Sequence, residues 1–321
     1  MLDDSFLQLV KQSYLRTFSQ QKTADELGVT KSKVRHALDI LRVINQSPPE
    51  IKASDLPTPV VGMAIEEIEL PEPSHSIYKP FVVDTPGQWG VIGDVHLPYH
   101  DLNTIKKWAD ECKQRNVKGI LLNGDILDCY QLSAHHKDPT KARFREEIEA
   151  GKQLMKWLRS NFPNTRIIYK EGNHDDRLRR YIMERAPALF DIAELDMRVI
   201  LGLDDLGIEW VADKRVIHLG KLSVIHGHEY RGSGGVNPAR WLFLRAKDST
   251  MCGHFHRSSE HPETTIRGKL IMCWSVGCAC YLHPEYDPQA NWGHGYAFVD
   301  IFQDGHYSVT NRKILRDGTV V

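Results

Sequence analysis

The sequence has no long hydrophobic run and almost no excess of charge of either sign. No apolar stretch in its 321 residues approaches the roughly 20 residues of a membrane-spanning helix. The N-terminus is acidic at Asp3 and Asp4 and lacks the apolar segment of a secretory signal. We therefore expect a cytoplasmic protein without a membrane partner. The formal net charge is −1, so contact with nucleic acid would need a local basic patch.

None of the six cysteines belongs to a CxxC pair, which argues against a structural zinc knuckle. Cys278 and Cys280 stand two residues apart. We expect them to be small buried residues with free thiols, as in a reducing compartment, rather than a redox pair.

Proline is concentrated in one stretch, because eight of the sixteen prolines lie within residues 46–88. This composition predicts an extended linker over residues 46–86, with a short edge strand. The linker would separate a helical domain at residues 1–45 from a larger domain at residues 87–321.

The larger domain shows alternating strand and helix patterns. Strands are predicted at 89–93, 119–123 and 166–169, and amphipathic helices at 101–116 and 140–160. The alternation indicates a parallel sheet with right-handed crossovers. After residue 205, shorter strands joined by tight turns predict hairpins and a second, mixed sheet. One of these hairpins would have its turn at Arg267-Gly268-Lys269.

Five short segments rich in Asp, Asn and His carry the chemistry. They read GDVH (93–96), GDILD (124–128), GNHD (172–175), HGH (226–228) and GHFH (253–256), and most of them follow an apolar run. Such side chains at the carboxyl ends of strands are arranged to meet. Their oxygen and nitrogen donors suffice for two metal ions that share one carboxylate, an arrangement suited to attack on phosphate esters.

Spacing suggests how the donors are used. Asp94 and His96 are two apart after a strand, so both can reach one ion. Asp125 is the natural bridging ligand, because a carboxylate has two oxygens and can hold a metal on each. Asn173 offers a neutral oxygen. The remaining candidate ligands are His226, His254 and His256.

The ordered set D-x-H, GD-x-x-D, GNHD, HG and GH-x-H resembles the calcineurin-like metallophosphoesterase superfamily, over roughly residues 87–315. The resemblance implies an α/β fold, a four-layer αββα sandwich metallophosphoesterase, here preceded by a small all-α domain. It implies a hydrolase that needs two divalent metal ions. Mn²⁺ is the expected ion, and the mixed donors also suit Fe, Zn²⁺ or Ni²⁺.

The resemblance also assigns roles to single residues. The first metal would take Asp94, His96, Asp125 and His256, and the second would take Asp125, Asn173, His226 and His254. A hydroxide bridging the ions would be the nucleophile. His174 would act as general acid toward the leaving group, or clamp a phosphate oxygen. Asp128 would hydrogen-bond His174 and hold its tautomer.

Departures from the family pattern narrow the choice among the branches of the superfamily. The protein Ser/Thr phosphatase branch continues GD-x-x-D with Arg-Gly and GNH with Glu, whereas Cys129-Tyr130 and Asp175 stand at those places here. Nucleases, cyclic-nucleotide phosphodiesterases and small phosphomonoesterases remain. Arg177, His228 and Arg231 are candidate substrate contacts, and the alternative for each is an ordinary solvated or connecting position.

Residues 20–39 have the spacing of a helix-turn-helix, with Ala24 at a helix crossing, Gly28 in the turn and Val34 in the core. They resemble the small helix-turn-helix domains of DNA-binding and phage DNA-packaging proteins. The candidate DNA contacts open the second helix of the pair: Lys31, Ser32, Lys33 and Arg35. The alternative is a three-helix bundle used for association, and a homo-oligomer would strengthen weak DNA binding by avidity.

Three hypotheses about function follow. The first is a two-metal phosphodiesterase acting on DNA, a nuclease, held to DNA by the N-terminal module. The second is a hydrolase of small nucleotides or phosphomonoesters whose N-terminal module serves oligomerisation. The third is a DNA-binding regulator with a vestigial phosphoesterase fold, which is poorly supported because no candidate ligand is missing.

Overall fold

The computed structural model describes residues 2–43, 70–74, 77–212, 214–284 and 287–321. They fall into two compact units, which meet in the sequence between Ser74 and residue 77. Residues 46–69 of the predicted linker lie outside the described residues. Among the described residues, no helix combines the length and the apolar composition needed to cross a bilayer.

The N-terminal unit contains three helices: α1 (Asp4–Thr17), α2 (Gln20–Leu27) and α3 (Lys31–Val43). The side chain of Ser19 caps α2, and Gly28 ends it with a left-handed φ of 63°. The buried core consists of Leu7, Val10, Ala24, Val34, Ala37 and Leu41. Ala24 and Val34 therefore lie where the sequence spacing predicted them.

The larger unit contains two six-stranded sheets. One has the order β12-β11-β2-β3-β4-β5 and the other β1-β6-β7-β8-β10-β9. The strands are β1 (Phe81–Val83), β2 (Gly87–Ile92), β3 (Gly119–Asn123), β4 (Arg166–Lys170), β5 (Ile208–Val211), β6 (Ile217–Leu219), β7 (Leu222–Val224), β8 (Thr250–Cys252), β9 (Ser259–Thr264), β10 (Leu270–Ser275), β11 (Gly295–Ile301) and β12 (Tyr307–Lys313).

Helices cover the outer face of each sheet. The longer ones are α4 (Leu102–Gln114), α5 (Phe144–Asn161), α6 (Arg177–Arg185) and α8 (Pro238–Ala246), and α7 is a single turn (Met197–Ile200). Alternation along β2 places Trp89 and Val91 between the sheets, where they meet residues of β6 and β7. Ile92 faces the α4 and α5 layer instead. Because α8 packs on the far side of the other sheet, four layers result. This confirms the predicted αββα architecture.

Strands β2, β3, β4 and β5 run parallel, as the alternating pattern predicted. Two details differ. The helix predicted from residue 140 begins at Phe144, because residues 138–141 form a turn closed by Asp138. The hairpin predicted around Arg267 has its first strand ending at Thr264, with Ile266 fully exposed in the turn. The short edge strand predicted in the proline-rich stretch is present as β1, which pairs with β6 at the edge of the second sheet.

Candidate metal centre

The candidate ligands meet because the strands that precede them point the same way. Asp94, Asp125 and Asn173 follow the parallel strands β2, β3 and β4. In the other sheet, His226 and His254 follow the parallel strands β7 and β8. The five motifs therefore converge at the carboxyl ends of strands from both sheets.

One group of donors surrounds Asp94. Its Oδ1 lies 3.1 Å from Nε2 of His256, and that nitrogen lies 3.2 Å from Nε2 of His96. Donor atoms of Asp94, His96 and Asp125 also lie within 4.8 Å of one another. These four residues are the ones assigned above to the first metal.

A second group shares Asp125. Its Oδ2 lies 3.1 Å from Nε2 of His226, and donor atoms of Asp125, His226 and His254 lie within 4.8 Å of one another. The two atoms at 3.1 Å do not form a hydrogen bond of acceptable geometry, since Nε2 of His226 has no such partner among the described residues. They lie side by side, as two ligands of one ion do.

The two oxygens of Asp125 have different neighbours. Oδ1 accepts a hydrogen bond from the backbone N of His174 at 2.8 Å. Oδ2 faces the imidazoles, at 3.1 Å from Nε2 of His226 and 3.9 Å from Nε2 of His96. A single oxygen is therefore placed to be shared between the two groups.

Buried atoms without partners test whether the donors fit metal ions. Oδ1 of Asn173 and Nε2 of His226 are both buried and have no hydrogen-bond partner among the described residues. A buried polar atom left alone is costly, so each such atom calls for an explanation. A divalent cation held by the carboxylates, imidazoles and amide of the two groups provides one, and the donor chemistry suits it.

The far side of three of the four candidate imidazoles is also held. Nδ1 of His226 lies 2.7 Å from the carbonyl oxygen of Asn123, which fixes its Nε2 toward Asp125. Nδ1 of His96 lies 2.9 Å from Oδ1 of Asp128, and Nδ1 of His256 lies 3.8 Å from Sγ of Cys280. Such outer partners orient metal-binding histidines. Cys280 was expected only as a small buried residue, and its cysteine type gave no signal of this position.

The backbone at the centre is strained. Five of the seven candidate ligands adopt left-handed φ values between 49° and 68°, namely Asp94, His96, Asp125, His254 and His256. A non-glycine residue pays roughly 1–3 kcal/mol for such a conformation, and strain of this kind clusters at functional sites. The strain points to these motifs independently of their residue types.

Two motif glycines allow the loops to approach. A Cβ on Gly172 would lie 2.2 Å from Oδ1 of Asp125, and one on Gly124 would lie 2.4 Å from Nδ1 of His226. Any side chain at either place would displace a candidate ligand. The glycines are therefore part of the site rather than only of its turns.

His174 lies beside the metal groups with 19 % of its side chain exposed. Its Nδ1 lies 2.9 Å from the carbonyl oxygen of Asp128 and 3.0 Å from Oδ1 of the same residue. The Asp128 carboxylate is thus shared between His174 and His96, whereas the sequence predicted a contact with His174 alone. The two imidazoles that it contacts hold the pKa of Asp128 far below its usual range, against the effect of burial.

Arg177 is fixed at the same place. It donates to the carbonyl oxygen of Asp128 at 2.7 Å, and its other terminal nitrogen lies 3.1 Å from Nε2 of His174. Arginine has no acceptor, so Nε2 of His174 accepts this bond and the ring proton resides on Nδ1. His174 therefore carries a lone pair, not a proton, on the nitrogen nearest Asp125 as long as Arg177 keeps this contact.

The other predicted contacts differ in position. His228 has 12 % of its side chain exposed and lies beside His226 and His254, with ring centroids 5.4 and 6.4 Å away. Burial lowers the pKa of His228 to about 3, so the ring is neutral. Arg231 is exposed in the following loop. In the N-terminal unit, the four candidate DNA contacts are all exposed on α3: Lys31, Ser32, Lys33 and Arg35.

Two anchors behind the motifs were not recognised from the sequence. Buried Asp175 accepts hydrogen bonds from the backbone N of Asp125, Leu127 and Gly172 and from the hydroxyl of Tyr169, which ties the second motif to the third. Its position in GNHD was noted only as a departure from another branch. Its carboxylate is what joins the two loops.

The second anchor lies under the fourth motif. Glu229 accepts bonds from the backbone N of His226 and Gly227, and it forms a 2.8 Å ion pair with the fully buried Lys170. Burial opposes the charge of Glu229, but Lys170 together with the neighbouring imidazoles of His228 and His226 lowers the pKa of Glu229 to about 2. The ion pair holds the loop that carries His226. The sequence gives no signal of this pair, because its two members are far apart along the chain.

Glu147 of α5 supports the second motif in a different way. It is fully buried, its Oε1 accepts from the backbone N of Tyr130, and burial together with Asp128 raises its pKa to about 8. Because this pKa exceeds the unfolded value near 4.5, the folded state keeps a proton that the unfolded state loses. Stability should therefore fall as the pH rises from about 4.5 to about 8.

Glu147→Gln should remove that slope. We expect the variant to match the wild type near pH 5 and to exceed it by a few kcal/mol in free energy of unfolding at pH 8.5, measured by urea titration of the metal-free protein. The exposed neighbour Glu149→Gln is the matched control and should leave the slope intact. Parallel pH profiles for Glu147→Gln and the wild type would contradict the argument.

Comparisons with known proteins agree with this centre. The family model described as calcineurin-like phosphoesterase matches residues 89–263, which is more than half of the chain. The Gene 54 protein of Mycobacterium phage L5 is 27 % identical over 237 residues, covering 68 % of this chain and 89 % of that protein. The Gene 54 protein of Mycobacterium phage D29 is 25 % identical over 239 residues, with the same coverage.

The comparison with solved structures matches Vps29 of Entamoeba histolytica, at 16 % identity and a TM-score of 0.40, covering 73 % of this chain and 96 % of that one. The phosphoesterase Yfce of E. coli, at 17 % identity and a TM-score of 0.36, has the same coverage. The family match covers all five motifs, from the strand before Asp94 to beyond His256. The chain belongs to the calcineurin-like phosphoesterase family and is a metal-dependent phosphoesterase.

Proposed function

We propose that this protein is a two-metal phosphodiesterase that cleaves DNA and is held on its substrate by the N-terminal helices. The observation that carries the reaction type is the pair of donor groups that share Oδ2 of Asp125. When bound, the two ions supply positive charge toward the phosphate and lower the pKa of water. The residues that would hold them are Asp94, His96, Asp125, Asn173, His226, His254 and His256. Mn²⁺ is the ion with which we would test the protein first.

The chain's own residues would place and protonate the substrate. Arg177 is within reach of both His174 and the loop of Asp128, so a phosphate oxygen can compete for its guanidinium. Once Arg177 turns to the phosphate, Nε2 of His174 would be free to take up a proton from water and then pass it to the leaving oxygen. Asp128 keeps the ring oriented through Nδ1.

The N-terminal unit supports DNA as the substrate. It has three helices, with a tight turn at Gly28 between α2 and α3 that fits a helix-turn-helix. The side chain of Thr30 accepts from the backbone N of Lys33 at the start of α3. The exposed Lys31, Lys33 and Arg35 follow on this helix, which is where such a module contacts phosphates.

The activity is tested with a panel of substrates in Mn²⁺: supercoiled plasmid, linear duplex, single strands, bis-p-nitrophenyl phosphate and p-nitrophenyl phosphate. We expect cleavage of a polynucleotide and of the diester. Turnover of the monoester without cleavage of any polynucleotide would contradict the nuclease function and favour a hydrolase of small phosphomonoesters.

DNA retention is tested apart from cleavage. Replacing Lys31, Lys33 and Arg35 together by Ala should weaken binding of a 30-base-pair duplex, measured by fluorescence anisotropy in EDTA. The slope of log affinity against log salt should fall by about 1 for each lost phosphate contact. The matched control replaces three exposed basic residues of the larger unit by Ala: Lys106, Arg267 and Arg316. Equal effects of the two triple variants would refute a specific role for α3.

A further inference from the structure

A cleft of about 360 Å³ opens beside the metal centre. One of its walls is His254, a candidate ligand of the second group, so the cleft is continuous with the site of reaction. The remaining lining residues come from three segments: Gly232 and Ser233, then Phe255 and Arg257, then Asp287, Asn291 and Trp292.

One wall of the cleft is backed by an edge-to-face aromatic pair. Phe255 is buried and packs against Trp241, with ring centroids 5.1 Å apart at 72°. The loop above lies tightly on these rings, since a Cβ on Gly234 would lie 2.5 Å from the Phe255 ring and one on Gly232 would lie 2.9 Å from Trp241. The loop after the fourth motif is therefore a wall of the cleft, held in place by contacts that only glycine permits.

Trp292 gives the cleft its aromatic side. Its ring meets His256 nearly at right angles, with centroids 4.2 Å apart, and it is half-buried. An indole held at a fixed angle beside a metal ligand candidate loses little freedom when a flat ring stacks on it. Stacking on such a side chain is worth roughly 1–3 kcal/mol per base.

Charge and hydrogen-bonding groups complete the cleft. Arg257 follows the fifth motif directly and donates to the carbonyl oxygen of Ser233 at 3.3 Å. A guanidinium has five N–H donors, so this contact leaves it able to bind an anion as well. Asn291 and Asp287 are exposed at the rim and offer an amide and a carboxylate, the groups that pair with the edge of a base.

We propose that this cleft, the Trp292 cleft, binds one nucleoside unit of the substrate. The base would stack on Trp292, and the attached phosphate would extend past Arg257 toward the metal centre. A cleft of this volume lies within the range of small-molecule sites. The inference rests on the proposed phosphoesterase function and deepens it, since it makes a nucleotide the substrate class.

Two substrates with the same leaving group test the cleft. Thymidine 5′-(p-nitrophenyl phosphate) carries a nucleoside, and methyl p-nitrophenyl phosphate carries none. For the full-length protein in Mn²⁺ we expect a lower KM for the thymidine ester. Trp292→Ala should raise that KM roughly tenfold or more, and the ratio of kcat/KM for the thymidine ester to kcat/KM for the methyl ester should fall by a similar factor. Trp292→Phe should keep most of the preference.

The matched control is Phe302→Ala, which removes an exposed aromatic residue next to the hairpin of β11 and β12. It should alter neither substrate. A Trp292→Ala variant that slows both esters equally would mean that the ring only supports His256 and would overturn the proposal. No change for either ester would overturn it as well.

A binding measurement separates the cleft from the reaction. Titration calorimetry of the Mn²⁺-loaded chain should show thymidine 5′-monophosphate binding at least tenfold more tightly than inorganic phosphate, with the difference lost in Trp292→Ala. This holds even if no ester is hydrolysed, in which case the proposed function fails and the cleft stands. Equal affinity for the two ligands would overturn the cleft. Stronger competition by single-stranded DNA than by free nucleotide at equal base concentration would identify a polynucleotide as the source of the nucleoside.

Discussion

Asp125→Asn is expected to lower phosphodiester hydrolysis by roughly 10³-fold, because loss of the shared carboxylate would weaken the hold on both ions, whose charge would stabilise the transition state by several kcal/mol. The amide can keep the bond from the backbone N of His174, so the loop should remain folded. What it loses is the negative charge at Oδ2, the atom that both donor groups face. Turnover of thymidine 5′-(p-nitrophenyl phosphate) and metal content by mass spectrometry should fall together.

An exposed acid provides the control for this experiment. Asp110→Asn on α4 removes the same charge far from any candidate ligand, and both activity and metal content should be unchanged. An Asp125→Asn enzyme that retained wild-type turnover and metal content would refute the assignment of both donor groups, since each includes this residue.

His174→Ala should cost roughly 10²–10⁴-fold in kcat for substrates with an alkoxide leaving group, the usual contribution of a general acid. The loss should be smaller for p-nitrophenolate, which leaves without a proton. Metal content should stay at the wild-type level, because His174 is not assigned as a ligand. The measurement is kcat over a series of aryl and alkyl diesters of thymidine.

The series also distinguishes the two roles left open for His174. A clamp on a phosphate oxygen would cost the same factor for every leaving group, which would contradict the role of general acid. Arg177→Gln is the useful companion, since it releases Nε2 of His174 without touching the ring. If His174 is the general acid, Arg177→Gln should mainly weaken substrate binding. The dependence of kcat on the leaving group should become only slightly steeper.

Much of the architecture follows from patterns that neighbouring residues create. Buried strands of the parallel sheet read as continuous apolar runs, and Gly119–Asn123 is buried at every position. The motifs follow such strands, so their convergence could be predicted without coordinates. The start of α5 could not be predicted in this way, because Asp138 and Thr140 form their own turn. A local hydrogen bond of that kind outweighs helical periodicity.

The chemistry beyond the ligands depends on pairs that are far apart in sequence. Lys170 and Glu229 meet under the fourth motif, and Cys280 stands behind His256, with no local pattern that marks either contact. The same holds for the Trp292 cleft, whose walls come from three separate segments. The division of labour between the two oxygens of Asp125 also needs coordinates, because it depends on where the backbone N of His174 points.

The left-handed turns under Asp94, His96, Asp125, His254 and His256 bear on how this centre can vary. Aspartate, asparagine and histidine are enriched several-fold among non-glycine residues that adopt this conformation. The same three side chains bind metal ions, so the residue types that suit the turn are also the residue types that suit coordination. An exchange among aspartate, asparagine and histidine should therefore keep the loop and change only the affinity or identity of the ion. A β-branched residue would disfavour the left-handed turn and remove the ligand at the same time, so substitutions that keep the loop folded are those that alter metal binding.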